Sequence, residues 1–270
     1  MPKWHVRKTQ DRLFRLNLNN QSGMKIALKT IFLLLIGGLL FWNCQRDGGV
    51  KNIREYYFPL KQLQDGLVYE YQAMNNDSLA PNYWYYRSFV QDSGIYFTGT
   101  YYDAADLTPL QFTREEMVSN GMRLIALYLY EPDSTGKSQR VEAEIIAGSV
   151  FPFEVRDSGG VFVYNIEWTS PGEPATTTSL IKNRRYAGDT TFVFENESYD
   201  AVVFEVRELL EHAQEGVFEQ EFATEEWYAE GLGLVYYRKE ITDDLVLEYR
   251  LAERYPMTQL EELFRQKMEQ

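Results

Sequence analysis

Few residue types in this chain could carry out chemistry. The sequence contains one cysteine, Cys44, and two histidines, His5 and His212. Nucleophilic catalysis of the Ser-His-Asp or Cys-His kind needs a histidine within hydrogen-bond reach of its nucleophile. His5 lies in a basic leader, which leaves His212 alone, in the polar stretch Glu211-His212-Ala213-Gln214 between strands, where a solvated imidazole is the better account. No GxSxG elbow, HExxH helix, CxxC pair or phosphate-cradling glycine loop occurs. Binding of a metal by soft ligands is thereby all but excluded. With a single cysteine no intramolecular disulfide can form, so stability must come from the core.

Carboxylates are the other reactive class. The pairs Glu115-Glu116, Glu225-Glu226 and Asp243-Asp244 could supply a glycosidase acid and nucleophile, which work about 5 Å or roughly 6.5–9.5 Å apart. They could also offer oxygen ligands to calcium, but no DxDxDG loop accompanies them. With 40 acidic residues and a net charge of −13, a solvated face explains these pairs better than a reaction does. The sequence therefore points to no catalytic residue, no cofactor and no metal, and the expectation is a protein that is not an enzyme.

Aromatic residues are the strongest candidates for ligand contact. They make up 15% of the chain, and twenty of them are tyrosine. In Tyr83-Trp84-Tyr85-Tyr86, strand alternation sets Tyr83 and Tyr85 on one face and Trp84 and Tyr86 on the other. With Trp227 and Tyr228, these side chains could stack on sugars or line an acyl pocket. The competing use is packing across strands.

The elements that must position these residues begin with an export segment. Lys25 and Lys29 precede the twelve-residue apolar run Ile31–Trp42, which ends just before Cys44. The run is too short for a bilayer core of about 30 Å, which takes roughly 20 apolar residues, and suits the apolar region of a secretory signal. Met24 reads as the initiator, with residues 1–23 a basic leader, 24–43 the signal, 44–55 the anchoring cysteine and a polar tether, and 56–270 one domain. An uncleaved anchor or a buried thiol is the alternative for Cys44. Residues 1–43 hold seven basic groups against Asp11, a net of +6, which leaves −19 on the rest. A domain of that charge repels nucleic acid and anionic headgroups over a Debye length, so no nucleic-acid partner is expected.

From Tyr56 onward the pattern is period two, as in half-buried strands. Leu67, Tyr69 and Tyr71 form one apolar stripe; Phe162, Tyr164, Ile166 and Trp168 form another; so do Val202, Phe204 and Val206, and Leu245, Leu247, Tyr249 and Leu251. Asn75-Asn76-Asp77, Asp92-Ser93-Gly94, Asn120-Gly121, Asp157-Ser158-Gly159-Gly160, Gly188-Asp189 and Thr242-Asp243-Asp244 supply turns. Asn120-Gly121 predicts a type I′ hairpin. The strand after it, Met122–Tyr130, is apolar on both faces and is expected to be covered on both. Ala223–Gly231 contains helix formers and predicts one helical turn or a loop crossing. Thr258 and Glu261 have capping-box spacing, and Leu260, Leu263, Phe264 and Met268 share one face of a final helix, Thr258–Met268, packed on the sheet. The expected fold is mainly β: an antiparallel meander of about ten strands forming a strongly curled sheet or half-open barrel, with a C-terminal helix. A two-sheet sandwich is the main competitor.

Two resemblances add to this reading. A cysteine closing a signal resembles the lipobox of bacterial lipoproteins, in the looser form found in Bacteroidetes. Phe41, Trp42 and Asn43 stand where that family prefers Leu, a small residue and Gly or Ala. The resemblance implies acylation at Cys44 and a membrane anchor on the periplasmic or cell-surface side. Gln45-Arg46-Asp47 loosely resembles a surface-export signal, and Asp77-Ser78-Leu79, Asp133-Ser134-Thr135 and Asp189-Thr190-Thr191 resemble a short O-glycosylation sequon of the same phylum. Trp227–Tyr237, WYAEGLGLVYY, resembles a stretch near the end of β-rich lipoproteins, several of which adopt the LolA-like half-barrel. That likeness implies a concave cavity for an acyl chain. Gly231 and Gly233 would let a strand enter with positive φ and pass close beneath an aromatic lid.

The functional expectation is a non-enzymatic envelope lipoprotein whose sheet binds an apolar ligand or an envelope component. The alternatives are a surface glycan-binding or assembly module and, behind it, an acid/base hydrolase.

Overall fold

The computed structural model describes residues 49–269 except Asn75, Asp77, Asp157, Ser158, Glu215 and Asp243. The leader, the signal, Cys44, Gln45-Arg46-Asp47 and Asp243 of the acidic pair lie outside the described residues. Fifteen strands and one helix follow in order: β1 (Lys51–Asn52), β2 (Leu67–Ala73), β3 (Asn82–Gln91), β4 (Gly94–Tyr102), β5 (Pro109–Val118), β6 (Gly121–Pro132), β7 (Ser138–Glu142), β8 (Glu144–Pro152), β9 (Glu154–Val155), β10 (Phe162–Thr169), β11 (Thr177–Phe194), β12 (Glu197–Ala213), β13 (Val217–Ala229), β14 (Gly233–Thr242), β15 (Leu245–Tyr255) and α1 (Met257–Met268).

The alternating pattern does produce an antiparallel meander, but the sheet closes on itself. Each of β2 to β6 pairs with the next, β7 and β8 lie end to end along β6, and β10 to β15 continue the run. β15 then pairs with β2 from Tyr249↔Ala73 to Tyr255↔Val68. Counting β7–β8 as one, the ring has twelve strands. The half-open barrel and curled sheet expected from sequence are thus replaced by a closed barrel. Closure satisfies the two free edges that an open meander leaves. Partners on those edges lie 176 residues (Ala73 and Tyr249) to 187 residues (Val68 and Tyr255) apart in sequence, so no local signal marks their pairing.

The outer face is charged along the long strands, with Arg185, Glu205, Arg207 and Glu221 exposed, whereas a lipid-facing barrel carries an apolar band there. Among the described residues no helix is long and apolar enough to cross a membrane.

An eight-stranded barrel is just filled by its own side chains, and the diameter grows with strand number, so twelve strands leave space. Residues 53–63 fill one end of it. Ile53, Tyr57, Phe58 and Leu63 are all buried there. Tyr57 touches Phe97 of β4 and Phe151 of β8, at ring distances of 5.5 and 5.3 Å, and Phe58 stacks on Phe97 at 4.9 Å. β1 pairs with β9 at the same end, so residues 51–55, within the expected tether, already belong to the fold. Gly233, with φ +87°, passes directly over Phe58, whose ring would lie 2.5 Å from an added Cβ. Gly231 has φ +70° in the β13–β14 turn. The glycine pair therefore shapes a turn beneath an aromatic side chain.

The final helix packs on the outside of the barrel. Leu260 and Phe264 bury themselves over Val68 and Tyr255, with Tyr83 and Tyr85 alongside. Leu263 and Met268 remain exposed. No side-chain cap forms, because the helix starts after Pro256 and Thr258 lies inside it; the capping box is absent.

Other local expectations are corrected by pairing across strands. Ala223–Ala229 is the second half of β13, held between β12 and β14, so the helix formers Ala223, Glu225 and Glu226 are overridden. His212 lies within β12 rather than between strands. Gly188, φ +146°, marks a bulge inside β11, not a turn. The β5–β6 hairpin forms, but its loop is Ser119-Asn120 without positive φ. Gly121 is instead required by close approach: an added Cβ would meet the Phe151 carbonyl oxygen at 2.4 Å. The two-residue turn with both φ positive is Glu195-Asn196, at 51° and 67°, joining β11 to β12. The outer face of β6 lies at the surface, where Ile125 is exposed and Tyr128 packs on Phe112.

Candidate functional site

Beyond the aromatic plug the lumen stays open as a cavity of about 490 Å³. Its floor consists of buried residues, among them Tyr86, Phe97 and Tyr228, while Asn82, Trp84, Tyr101, Gln111 and Trp168, toward the other end, are half-buried. That other end is where β2 finishes and β3 begins, opposite the end at which β1 enters. The chain therefore enters at the closed end, and the mouth faces the other way.

The walls differ in chemistry because each strand sends alternate residues inward. The wall from β6, β8 and β10 is apolar: Leu124, Leu127, Leu129, Val150 and Ile166, joined by Leu180 of β11. Trp84 and Tyr86 of β3 add an aromatic side, the two rings stacked at 5.7 Å, with Trp84 also stacked on Tyr101 at 5.2 Å. Asn82 bridges the mouth by donating to the Tyr237 hydroxyl and accepting from Tyr101 at 2.8 Å.

The wall from β11 to β14 is charged. Arg184 binds Glu226 through two parallel bonds of 2.8 and 3.1 Å and donates to the Val150 carbonyl at 3.0 Å. Tyr228 donates to Glu226 at 3.1 Å. Burial works against ionisation of Glu226, but the Arg184 guanidinium outweighs it and the carboxyl stays below its usual range. One turn of the alternation toward the mouth, Glu208 takes Lys182 at 3.1 Å and Lys239 at 2.6 Å, and accepts from Thr224 at 3.3 Å. Burial would raise the Glu208 carboxyl, yet the two lysines hold it down at about 2. Glu115 of β5 behaves oppositely. Its burial dominates over the hydrogen bond from Tyr57 at 2.6 Å and the charge of Arg184, and pushes it up to about 7.

The sequence candidates divide accordingly. Trp84 and Tyr86 face the lumen, as does Tyr228 on its floor. Tyr83 and Tyr85 lie outside beneath α1. Trp227 also faces outward, packed on Tyr236 at 4.6 Å with its Nε1 on Glu225. The acidic pairs are split by alternation: Glu115 and Glu226 point inward, while Glu116 binds Arg123 and Glu225 serves Trp227. His212 bonds Thr178 at 3.0 Å and lies against Phe218, two steps along the inward stripe from Glu208 and past the residues that line the cavity. Among the described residues no group of three His, Cys, Asp or Glu could hold a metal.

Sequence reasoning missed Lys182, Arg184, Glu208 and Lys239. The signal was available for Glu208, which continues the inward stripe Val202, Phe204, Val206 by one more step. A charged residue in phase with a buried stripe marks either a paired core charge or a lumen.

No protein-family model matches this sequence, and no curated protein matches it. Two solved structures resemble the chain. One is a candidate lipoprotein from Parabacteroides distasonis, with a TM-score of 0.46 and 10% identity over 74% of this chain and 98% of that one. The other is a candidate exported protein with a YmcC-like fold from Bacteroides fragilis, with a TM-score of 0.46 and 12% identity over the same shares.

Proposed function

We propose that this protein is a non-enzymatic envelope lipoprotein, tethered at Cys44, whose barrel holds an apolar or amphiphilic molecule of the envelope in its lumen. The observation that carries this reading is the cavity of about 490 Å³, within the range of small-molecule sites and open at one end. Its apolar wall would otherwise stand against water. The acid/base alternative draws on three carboxylates in one lumen, but Glu226 and Glu208 both give their oxygens to cations, which suits positioning rather than attack on a substrate.

A second reading rests on the mouth, where Trp84 and Tyr101 offer ring faces and Asn82 and Gln111 offer amides, the combination that suits a sugar. Native mass spectrometry of protein purified from its own envelope separates the two. A bound lipid-like mass supports the proposal and a bound oligosaccharide supports the second reading. Protein that is consistently empty, with no gain on adding envelope lipid, overturns the lumen-ligand reading. In the same cells, Cys44→Ala should abolish incorporation of a palmitate analogue; unchanged labelling would remove the tether from the account.

A further inference from the structure

The charged wall of the lumen is unevenly compensated. Arg184 and Glu226 satisfy one another through two bonds. Lys182 and Lys239, from β11 and β14, converge on one carboxylate, Glu208. Two ammonium groups on one carboxylate leave a positive charge over. Glu208 lies behind the pair, its side chain 4% exposed, whereas the Lys182 and Lys239 side chains are 23% and 26% exposed and line the cavity. Lys239 also lies over the Phe222 ring at 4.2 Å, a contact that holds the ammonium in place without cancelling its charge. Together the two ammonium groups carry about six donors against the roughly four acceptor sites of a carboxylate, one of which receives Thr224.

This excess runs against the chain as a whole, whose net charge is −13. Charges in a sheltered site are costly unless paired, so a cationic pair kept in an acidic protein's lumen calls for an anion. Glu115, the remaining lumen carboxyl, is held by Tyr57 on the floor, and its burial favours the neutral form up to about pH 7. It therefore does not supply that anion in weakly acidic conditions. Leu124, Leu127 and Leu129 of β6 and Ile166 of β10, the strand next to that of Lys182, line the rest of the cavity and offer nothing to a charge and everything to a hydrocarbon.

Resting on the lumen-ligand reading above, we infer that the ligand is an anionic amphiphile, its carboxylate or phosphate received by Lys182 and Lys239 and its apolar body laid along the β6–β8–β10 wall. The cationic pair then acts as the specificity element, and the stacked rings of Trp84 and Tyr101 border the bound molecule at the mouth. A phosphate or carboxylate gains charge-assisted hydrogen bonds there that a neutral alcohol of the same chain length cannot match.

Full-length protein in neutral-lipid nanodiscs, with protein-free discs as the blank, can be titrated calorimetrically with dodecanoate, dodecyl phosphate, dodecanol and dodecyltrimethylammonium. The expected result is binding of one or both anions about tenfold or more tighter than dodecanol, and no measurable binding of the cation. Which of the first two binds tighter identifies a carboxylate or a phosphate headgroup. In Lys182→Gln and Lys239→Gln the preference for the anion should shrink while dodecanol binding persists, and Lys239→Arg should retain it. Equal binding of dodecanoate, dodecyl phosphate and dodecanol to the unaltered protein overturns the inference and leaves the lumen-ligand reading intact. Absence of binding by all four overturns both.

Discussion

The buried carboxyl of Glu115 is the residue most open to a direct test. It is 7% exposed, accepts a bond from Tyr57 of the plug, and is pushed from 4.5 up to about 7 by burial. A carboxyl whose folded pKa lies above its unfolded value binds more protons in the native state. Its contribution is complete below about pH 4.5 and is lost as pH rises toward 7. Unfolding stability should therefore fall between about pH 5 and 7, by on the order of 3 kcal/mol at most from this group. Glu115→Gln should flatten that slope while keeping a partner for Tyr57. Denaturant titrations across this window decide the matter: an unchanged slope in the variant would show that Glu115 is not the group responsible. Glu208, held at about 2, acts in a separate window, since its contribution is complete above the usual carboxylate range and is lost progressively as pH falls from about 4.5 to about 2.

At the scale of the element, the final helix packs on the sheet as its apolar positions predict, and a different segment stops the barrel. A terminal amphipathic helix is the natural stopper for a concave sheet, yet α1 covers the outer face of β2, β3 and β15. The stopper is the stretch 53–63, which has little regular structure beyond one 3-10 turn at Arg54–Tyr56. The reason is geometric. The chain reaches β2 from the closed end, so residues just before β2 are already at the barrel axis, whereas β15 releases its C-terminus on the rim. Removal of residues 257–270 should expose Val68, Tyr83, Tyr85 and Tyr255 and lower stability by about 3–5 kcal/mol, the cost of losing one buried leucine and one buried phenylalanine with their neighbours. It should leave binding in the lumen unchanged. A truncated protein that stays folded but gains or loses ligand would place α1 at the lumen after all.

The whole molecule has a polarity that neither residues nor elements reveal singly. Its chain enters at the closed end through β1 and β9, and the cavity opens at the far end among Asn82, Trp84 and Trp168. Within the described domain a ligand therefore reaches the lumen past Asn82, Trp84 and Trp168, at the end opposite β1. Aqueous acrylamide should quench Trp84 and Trp168, and a brominated fatty acid taken up by the lumen should quench them too, with Trp84→Phe and Trp168→Phe identifying each share. Loss of acrylamide quenching at neither residue on loading the lumen would mean that the ligand does not enter by this end.

Much of this arrangement was legible before any coordinates. Period-two stripes are set by local backbone geometry, so Tyr69 and Tyr71, Phe204 and Val206, and Tyr164 and Ile166 could be placed on one face from sequence. The split of Tyr83 and Tyr85 from Trp84 and Tyr86 was equally legible. What alternation cannot say is which face is inside, because either stripe of β3 is aromatic. That choice was made by closure, which turned Trp84 and Tyr86 toward the lumen and left the other pair for α1. Closure depends on β15 finding β2 across the whole chain, a pairing without local signature. The same event brought Lys182, Glu208 and Lys239 together from three strands, each of which reads by itself as an ordinary solvated charge. Composition and periodicity determined the strands and the two faces of each. Only the closed ring decided that there is a lumen, because an inside exists once the last strand meets the first.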